Sequence, residues 1–169
     1  MKIWWARIHR RWLALRQLRS PGSGSGWLFL RVLAFAAAVP VLMRLKLPVL
    51  NRLLERRIAS AAGAGGDANG PGQIVRCVES ALAVGAPLVR PGCLTRGLTL
   101  YYFLRRAGLD VMLCFGVRWK NGELIGHCWL EKGGEPFLEG GSLDRYAAPI
   151  YSLPATEPKP ADKRLRTAA

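Results

Sequence analysis

Two side chains in this sequence stand where covalent chemistry becomes feasible. Cys93 follows directly on Pro91-Gly92 and opens the run CLTRGLTLYYFLRRA, whose spacing predicts a helix over 93–107 that stops at Gly108. A thiol in the first turn of a helix lies among unpaired backbone amides at the positive end of the helix dipole, which stabilises negative charge on sulfur. Such a thiol becomes a nucleophile once an imidazole stands nearby. The sequence holds 2 histidines. His9 lies in an arginine-rich stretch, a poor place for a base, so histidine chemistry falls to His127 at the centre of LIGHCWLE, a predicted strand over 124–131. A general base needs an acceptor on its second ring nitrogen, to hold the tautomer and to stabilise the imidazolium. Glu139, at the end of the next predicted strand over 135–139, is the candidate acceptor, and Asp144 is the substitute five residues on.

This triad makes a demand on a turn. In an antiparallel hairpin, residues whose numbers share a constant sum stand opposite each other and on one face. His127 and Glu139 sum to 266, which requires an odd loop such as Lys132-Gly133-Gly134. A two-residue Gly133-Gly134 loop would give 267 and put the pair on opposite faces.

The elements that must position these groups follow from the punctuation. Residues 3–19, IWWARIHRRWLALRQLR, form a predicted basic amphipathic helix, and Pro21 to Gly26 break it. Residues 27–60 predict one or two further helices, with Pro40 and Pro48 as kinks or boundaries, and GAGGDANGPG over 63–72 is a loop. In 73–85, Ile74, Cys77, Val78, Ala81 and Leu82 share a helical face. The run 110–119, DVMLCFGVRW, predicts a largely buried strand, and Asn121-Gly122 a tight hairpin into the strand that carries His127. Helices followed by a small antiparallel sheet make an α+β fold. The expected division is a basic, apolar helical region over 1–72, a catalytic core over 73–152 and a flexible tail over 153–169.

At 169 residues the chain has the length of one domain with a short appendage. Half of it is hydrophobic and 21% is charged, which excludes wholesale disorder. The net charge is +14, and residues 1–60 carry 12 basic side chains and one acidic. The basic excess therefore belongs to the N-terminal third. The 12-residue uncharged run between Arg31 and Arg44 is shorter than the roughly 20 residues a spanning helix needs. The run is expected as an apolar helix packed on its own domain, with contact to an acidic membrane surface through the basic N-terminus as the alternative. Of the 4 cysteines, no two stand at C-x-x-C spacing, which argues against zinc ribbons and dithiol redox chemistry and for a reducing, cytoplasmic compartment. Cys77, Cys114 and Cys128 are expected as small buried hydrophobes. Trp129 shares the face of His127 by alternation, as a roof to the site or as a core aromatic. Arg96, Arg105 and Arg106 are expected as solvated helix charges, with contact to an acidic peptide as the alternative.

The residues then resemble a family. The order of cysteine at a helix start, histidine on one strand and an acid on the next is that of transglutaminase-like and papain-like cysteine enzymes. More narrowly, residues 91–140 resemble the leader peptidases of lasso peptide biosynthesis, which show C-L-x-R-(small)-L-x-L-x-x-x-L-(R)-R-x-G before the first strand. Cys93, Leu94, Arg96, Gly97, Leu98, Leu100, Leu104, Arg105, Arg106 and Gly108 fit that pattern, as do His127 and Trp129 in the second block. Cys128 stands where the family has alanine, and Glu139 where it has aspartate. The resemblance implies hydrolysis of a ribosomally made precursor between leader and core, by a triad of Cys93, His127 and Glu139. The Cys93 amide would receive the oxyanion, with Gln73 a weak candidate for a second donor. No metal or organic cofactor is implied. The implied partners are the precursor peptide, a separate leader-binding protein and an ATP-dependent macrocyclase, but no nucleic acid. The alternatives are a thiol amidase or acyltransferase of the same fold, and a non-catalytic basic protein that binds membrane or nucleic acid.

Overall fold

The computed structural model describes residues 25–63, 69–120, 123–138 and 149–154. The chain order is α1 (Ser25–Leu42), α2 (Leu47–Gly63), α3 (Pro71–Val84), α4 (Cys93–Arg106), β1 (Met112–Lys120), β2 (Glu123–Lys132), β3 (Glu135–Phe137) and β4 (Tyr151–Leu153). Among the described residues four helices thus precede a small antiparallel sheet, the α+β arrangement that the sequence predicts. Proline marks the helix starts: Pro48 stands in the first turn of α2 and Pro71 opens α3, where the missing N–H leaves no hydrogen bond unmade. Pro40 lies inside the last turn of α1 and does not end it.

The centre of the molecule is α4. The spacing predicts one apolar stripe, yet Leu98, Leu100, Tyr101, Phe103 and Leu104 are all at most 1% exposed. The cause is packing on more than one side: α1, α2 and α3 press on α4 from one direction and β1 and β2 from another. Gly97 permits the close approach to the sheet, since a Cβ there would stand 2.9 Å from Leu113 Cδ1 and 3.4 Å from Cys128 Sγ. The helix ends as expected before Gly108, where Gly108 N–H donates to Arg105 O and Leu109 N–H donates to Leu104 O, each at 3.0 Å.

The earlier helices share this core through Leu28, Val32, Val39, Leu50, Leu54 and Ile58. Glu55 of α2 accepts from Tyr101 Oη at 2.6 Å and from Arg105 at 3.3 Å. Arg106 donates to Tyr102 Oη at 3.0 Å, and Tyr102 stacks on Phe35 of α1 with ring centroids 4.4 Å apart. Arg105 therefore ties α4 to α2, while Arg106 braces Tyr102 within α4, so both make specific contacts rather than standing only as solvated charges.

The strand order is β3-β2-β1-β4, with every neighbouring pair antiparallel. Lys120 pairs with Glu123, as the two-residue connection predicted at Asn121-Gly122 requires. The strand β4 carries no signal in the sequence reading. It pairs with β1 through Leu113↔Leu153, and Leu153 is fully buried. Three residues are too few to show a period.

Candidate active site

Cys93 is the first residue of α4 and is exposed, whereas Cys77, Cys114 and Cys128 are buried. Gly92 precedes it in an extended conformation, and no side chain caps the helix. The first intrahelical bond runs from Arg96 N–H to Gly92 O. The earlier amides of the turn, including that of Cys93, have no carbonyl one turn back to meet. The thiol thus stands beside amide donors, as its position after Pro91-Gly92 predicts.

His127 lies in the middle of β2, opposite Gly116 of β1. Because that partner has no side chain, nothing on β1 crowds the imidazole from directly across the strand. Cys128 turns to the other face, where its Sγ lies against α4 near Gly97, so the sequence expectation for this neighbour holds. Trp129 shares the His127 face, and the two rings stack nearly parallel, 6.2 Å apart at 16°. The indole is itself held, since Nε1 donates to Glu131 Oε1 at 2.8 Å. Glu131 also interacts with the Cys114 thiol. Burial first, then the Glu131 charge and hydrogen bond, push Cys114 up to about 12. That thiol is inert at neutral pH.

Cys93 and His127 line one cleft of about 450 Å³. Leu94, Phe115, Gly116, Gly126, Cys128, Ile150 and Tyr151 complete it from the α4–sheet side. Met43, Leu45 and Leu47 reach it from the corner between α1 and α2. Gln73, on the first turn of α3, is not among the lining residues.

The turn between β2 and β3 differs from the one the triad demanded. Lys132 pairs with Glu135, Glu131 with Pro136 and Leu130 with Phe137, a constant sum of 267. The loop is therefore the two-residue Gly133-Gly134, with φ of 63° and 85°, as a type I′ turn requires at both positions. Both loops are compatible with Lys132-Gly133-Gly134, and the shorter one matches strand twist better. A straight continuation of this ladder would oppose residue 139 to Cys128, not to His127. The ladder does not continue. The strand β3 ends at Phe137, and Leu138 takes the left-handed conformation at φ 62°. The arithmetic of the hairpin therefore has no hold on Glu139. Glu139 and Asp144 lie outside the described residues, as do His9 and the predicted helix over 3–19.

A leucine in the left-handed region costs roughly 1–2 kcal/mol and needs an external hold. Arg96 supplies one. Its Nη2 donates to Leu138 O at 3.0 Å, while its Nε donates to Glu79 Oε1 of α3 at 2.8 Å. Arg96 is one helical turn from Cys93, so the helix that bears the thiol is tied to the exit of β3. This residue was expected as a solvated charge. The clue available in the sequence was its place in the C-L-x-R run, three residues after the cysteine.

Among the described residues no group of three or more histidine, cysteine or acidic side chains is arranged to hold a metal ion. No described helix is long and apolar enough to cross a membrane. Residues 33–152 match the transglutaminase-like superfamily, which covers more than half of the chain. Comparison with curated proteins and with solved structures returned no match.

Proposed function

Because this chain belongs to the transglutaminase-like superfamily, a group rich in cysteine-dependent enzymes, we propose that it is a cysteine peptidase that removes the leader from a lasso peptide precursor. The observation that carries this reading is the cleft shared by an exposed helix-start cysteine and a strand-borne histidine. The C-L-x-R run and the His127–Trp129 pair in the sequence resemble the leader peptidases and support the narrower reading.

In this mechanism Cys93 Sγ attacks the carbonyl carbon of the scissile amide, and its proton passes to His127. The oxyanion is received by the Cys93 amide at the uncapped start of α4. Collapse of the tetrahedral intermediate breaks the C–N bond, His127 delivers its proton to the leaving amine, and a thioester remains on Cys93. His127 then takes a proton from water as hydroxide adds to the thioester carbonyl. Collapse of this second intermediate breaks the C–S bond, His127 returns the proton to the Cys93 sulfur, and the leader departs with a new C-terminal carboxyl group. Trp129, anchored by Glu131, limits the tilt of the imidazole during both transfers. Glu139 is assigned the second ring nitrogen of His127, with Asp144 as its substitute. The route draws on no metal or organic cofactor. A separate leader-binding protein presents the precursor, and an ATP-dependent macrocyclase takes the freed core.

The test is cleavage of the precursor with the leader-binding partner present, read by mass spectrometry, for wild type, Cys93→Ala, His127→Ala and Glu139→Gln. The expected result is one cut between leader and core, abolished by the first two changes and slowed by the third. Cleavage that survives Cys93→Ala refutes the mechanism. Transfer of the acyl group to an added amine instead of water would assign the chain to the acyltransferases of the same fold.

A further inference from the structure

We infer that the corner between α1 and α2 forms a subsite for a bulky apolar side chain of the substrate, next to the carbonyl that Cys93 attacks. The inference rests on the peptidase reading for its substrate but not for its geometry. The corner has the sequence Met43-Arg44-Leu45-Lys46-Leu47, in which apolar and basic residues alternate. Met43, Leu45 and Leu47 line the cleft, while Arg44 and Lys46 are exposed and do not. The alternation thus sorts the corner in two, with hydrocarbon toward the thiol and charge toward solvent. Hydrogen bonds hold it in this form: Met43 N–H donates to Val39 O, Leu45 N–H to Leu42 O and Val49 N–H to Lys46 O, all within 3.0 Å.

The rest of the lining agrees. None of the twelve lining residues is aspartate, glutamate, lysine or arginine, although the chain carries a net charge of +14. Leu45 is 38% exposed and Ile150 is 69% exposed, both on this cleft. Large apolar groups left in water at a cleft mark a surface that a ligand covers. A volume of about 450 Å³ suits a few residues of an extended peptide rather than a whole folded partner. The proximity of Cys93 dictates which part of the ligand meets the wall: the side chains flanking the reacting carbonyl.

The test uses small electrophiles, so that it reads the subsite without a precursor. N-acetyl chloromethyl ketones of leucine, alanine and glutamine carry side chains of different polarity beside one reactive carbon. Cys93 sulfur displaces chloride, a C–S bond replaces the C–Cl bond, and the thiol proton leaves to His127 or solvent. The ratio of second-order labelling rates, leucine over glutamine, is measured on the full chain by intact mass and peptide mapping. An apolar pocket typically discriminates by about 10-fold or more. Wild type is expected to show that ratio, and Leu45→Glu and Leu45→Ser to bring it near one. A ratio near one in wild type overturns the subsite, as does an unchanged ratio in both variants. Circular dichroism checks that the variants fold, and the partly exposed position of Leu45 makes them tolerable. Leucine-selective labelling combined with no cleavage of any precursor would leave the subsite standing and remove the peptidase reading.

Discussion

Replacing Arg96 with glutamine removes the link between the nucleophile's helix and the exit of β3. Three contributions set the magnitude. The pair with Glu79 is largely solvent-accessible, with side-chain exposures of 27% and 48%, so it is worth about 0.2–1 kcal/mol. The bond from the guanidinium to Leu138 O is charge-assisted and part-buried, worth about 1.5 kcal/mol at the low end of its class. The left-handed backbone of Leu138 then relaxes and returns roughly 1 kcal/mol to the variant. The net loss is about 0.7–1.5 kcal/mol, which for a chain of this length lowers Tm by roughly 1.5–6 °C. On the peptidase reading the larger effect falls on kcat, because the segment leading to Glu139 loses its anchor while the apolar cleft persists. Calorimetry and cleavage kinetics on Arg96→Gln, Arg96→Lys and Leu138→Gly test this together. Lysine keeps a charge near Glu79 but cannot fork to both acceptors, so it recovers less than half of the loss. Leu138→Gly makes the left-handed turn free of strain, so in the Arg96→Gln background it is expected to keep the turn and restore part of kcat, with no gain in Tm because that strain is already released. A glutamine variant that melts within 1 °C of wild type and keeps its kcat would refute the clamp.

Two further outcomes follow from the core. Cys114 ionises near 9.0 when unfolded but only at about 12 when folded, so between those values the unfolded state holds fewer protons. Stability is whole below pH 9 and falls as pH rises through that window, by about 1.4 kcal/mol per unit from this thiol. Urea midpoints at pH 8, 9.5 and 10.5 read the slope, which Cys114→Ala should make shallower; an equal slope in the variant would exclude this thiol as the cause. Gly97→Ala adds a Cβ 2.9 Å from a Leu113 methyl that is itself fully buried. Overpacking of about 1–3 kcal/mol outweighs the helix-propensity gain of roughly 1 kcal/mol, so a lower urea midpoint is expected, and a raised one would show that the α4–sheet contact yields.

Much of this architecture was legible in the residues because the deciding signals are local. Glycine and proline mark several of the boundaries, so the start of α4, the stop at Gly108 and the β1–β2 hairpin follow from backbone preferences alone, whereas Pro40, Gly97 and Gly116 lie inside elements and α3 opens at Pro71, within the stretch read as a loop. The same locality puts Cys93 at a helix start and His127 at mid-strand, with Trp129 beside it and Cys128 turned away. Leu153 was not legible, because a three-residue strand gains its meaning only from β1. Nor was the depth of α4: its periodicity shows one apolar stripe, and burial on the remaining sides is a property of the helices and strands packed around it.

What the sequence determined by itself, then, is the α+β order and the elements that carry the cysteine and the histidine. Tertiary structure decided how those elements are completed. Lys132-Gly133-Gly134 permits two loops that differ by one residue, and the ladder of hydrogen bonds selected the two-residue turn. Leu138 has no intrinsic tendency toward a left-handed backbone. Arg96, 42 residues earlier, is hydrogen-bonded to its carbonyl and offsets the strain. The cleft wall at Met43, Leu45 and Leu47 comes from a corner about 50 residues before the thiol, and only the packing of α1 and α2 on α4 brings it there. In each case the deciding energy lies in contacts between segments distant in sequence, which local propensity does not encode.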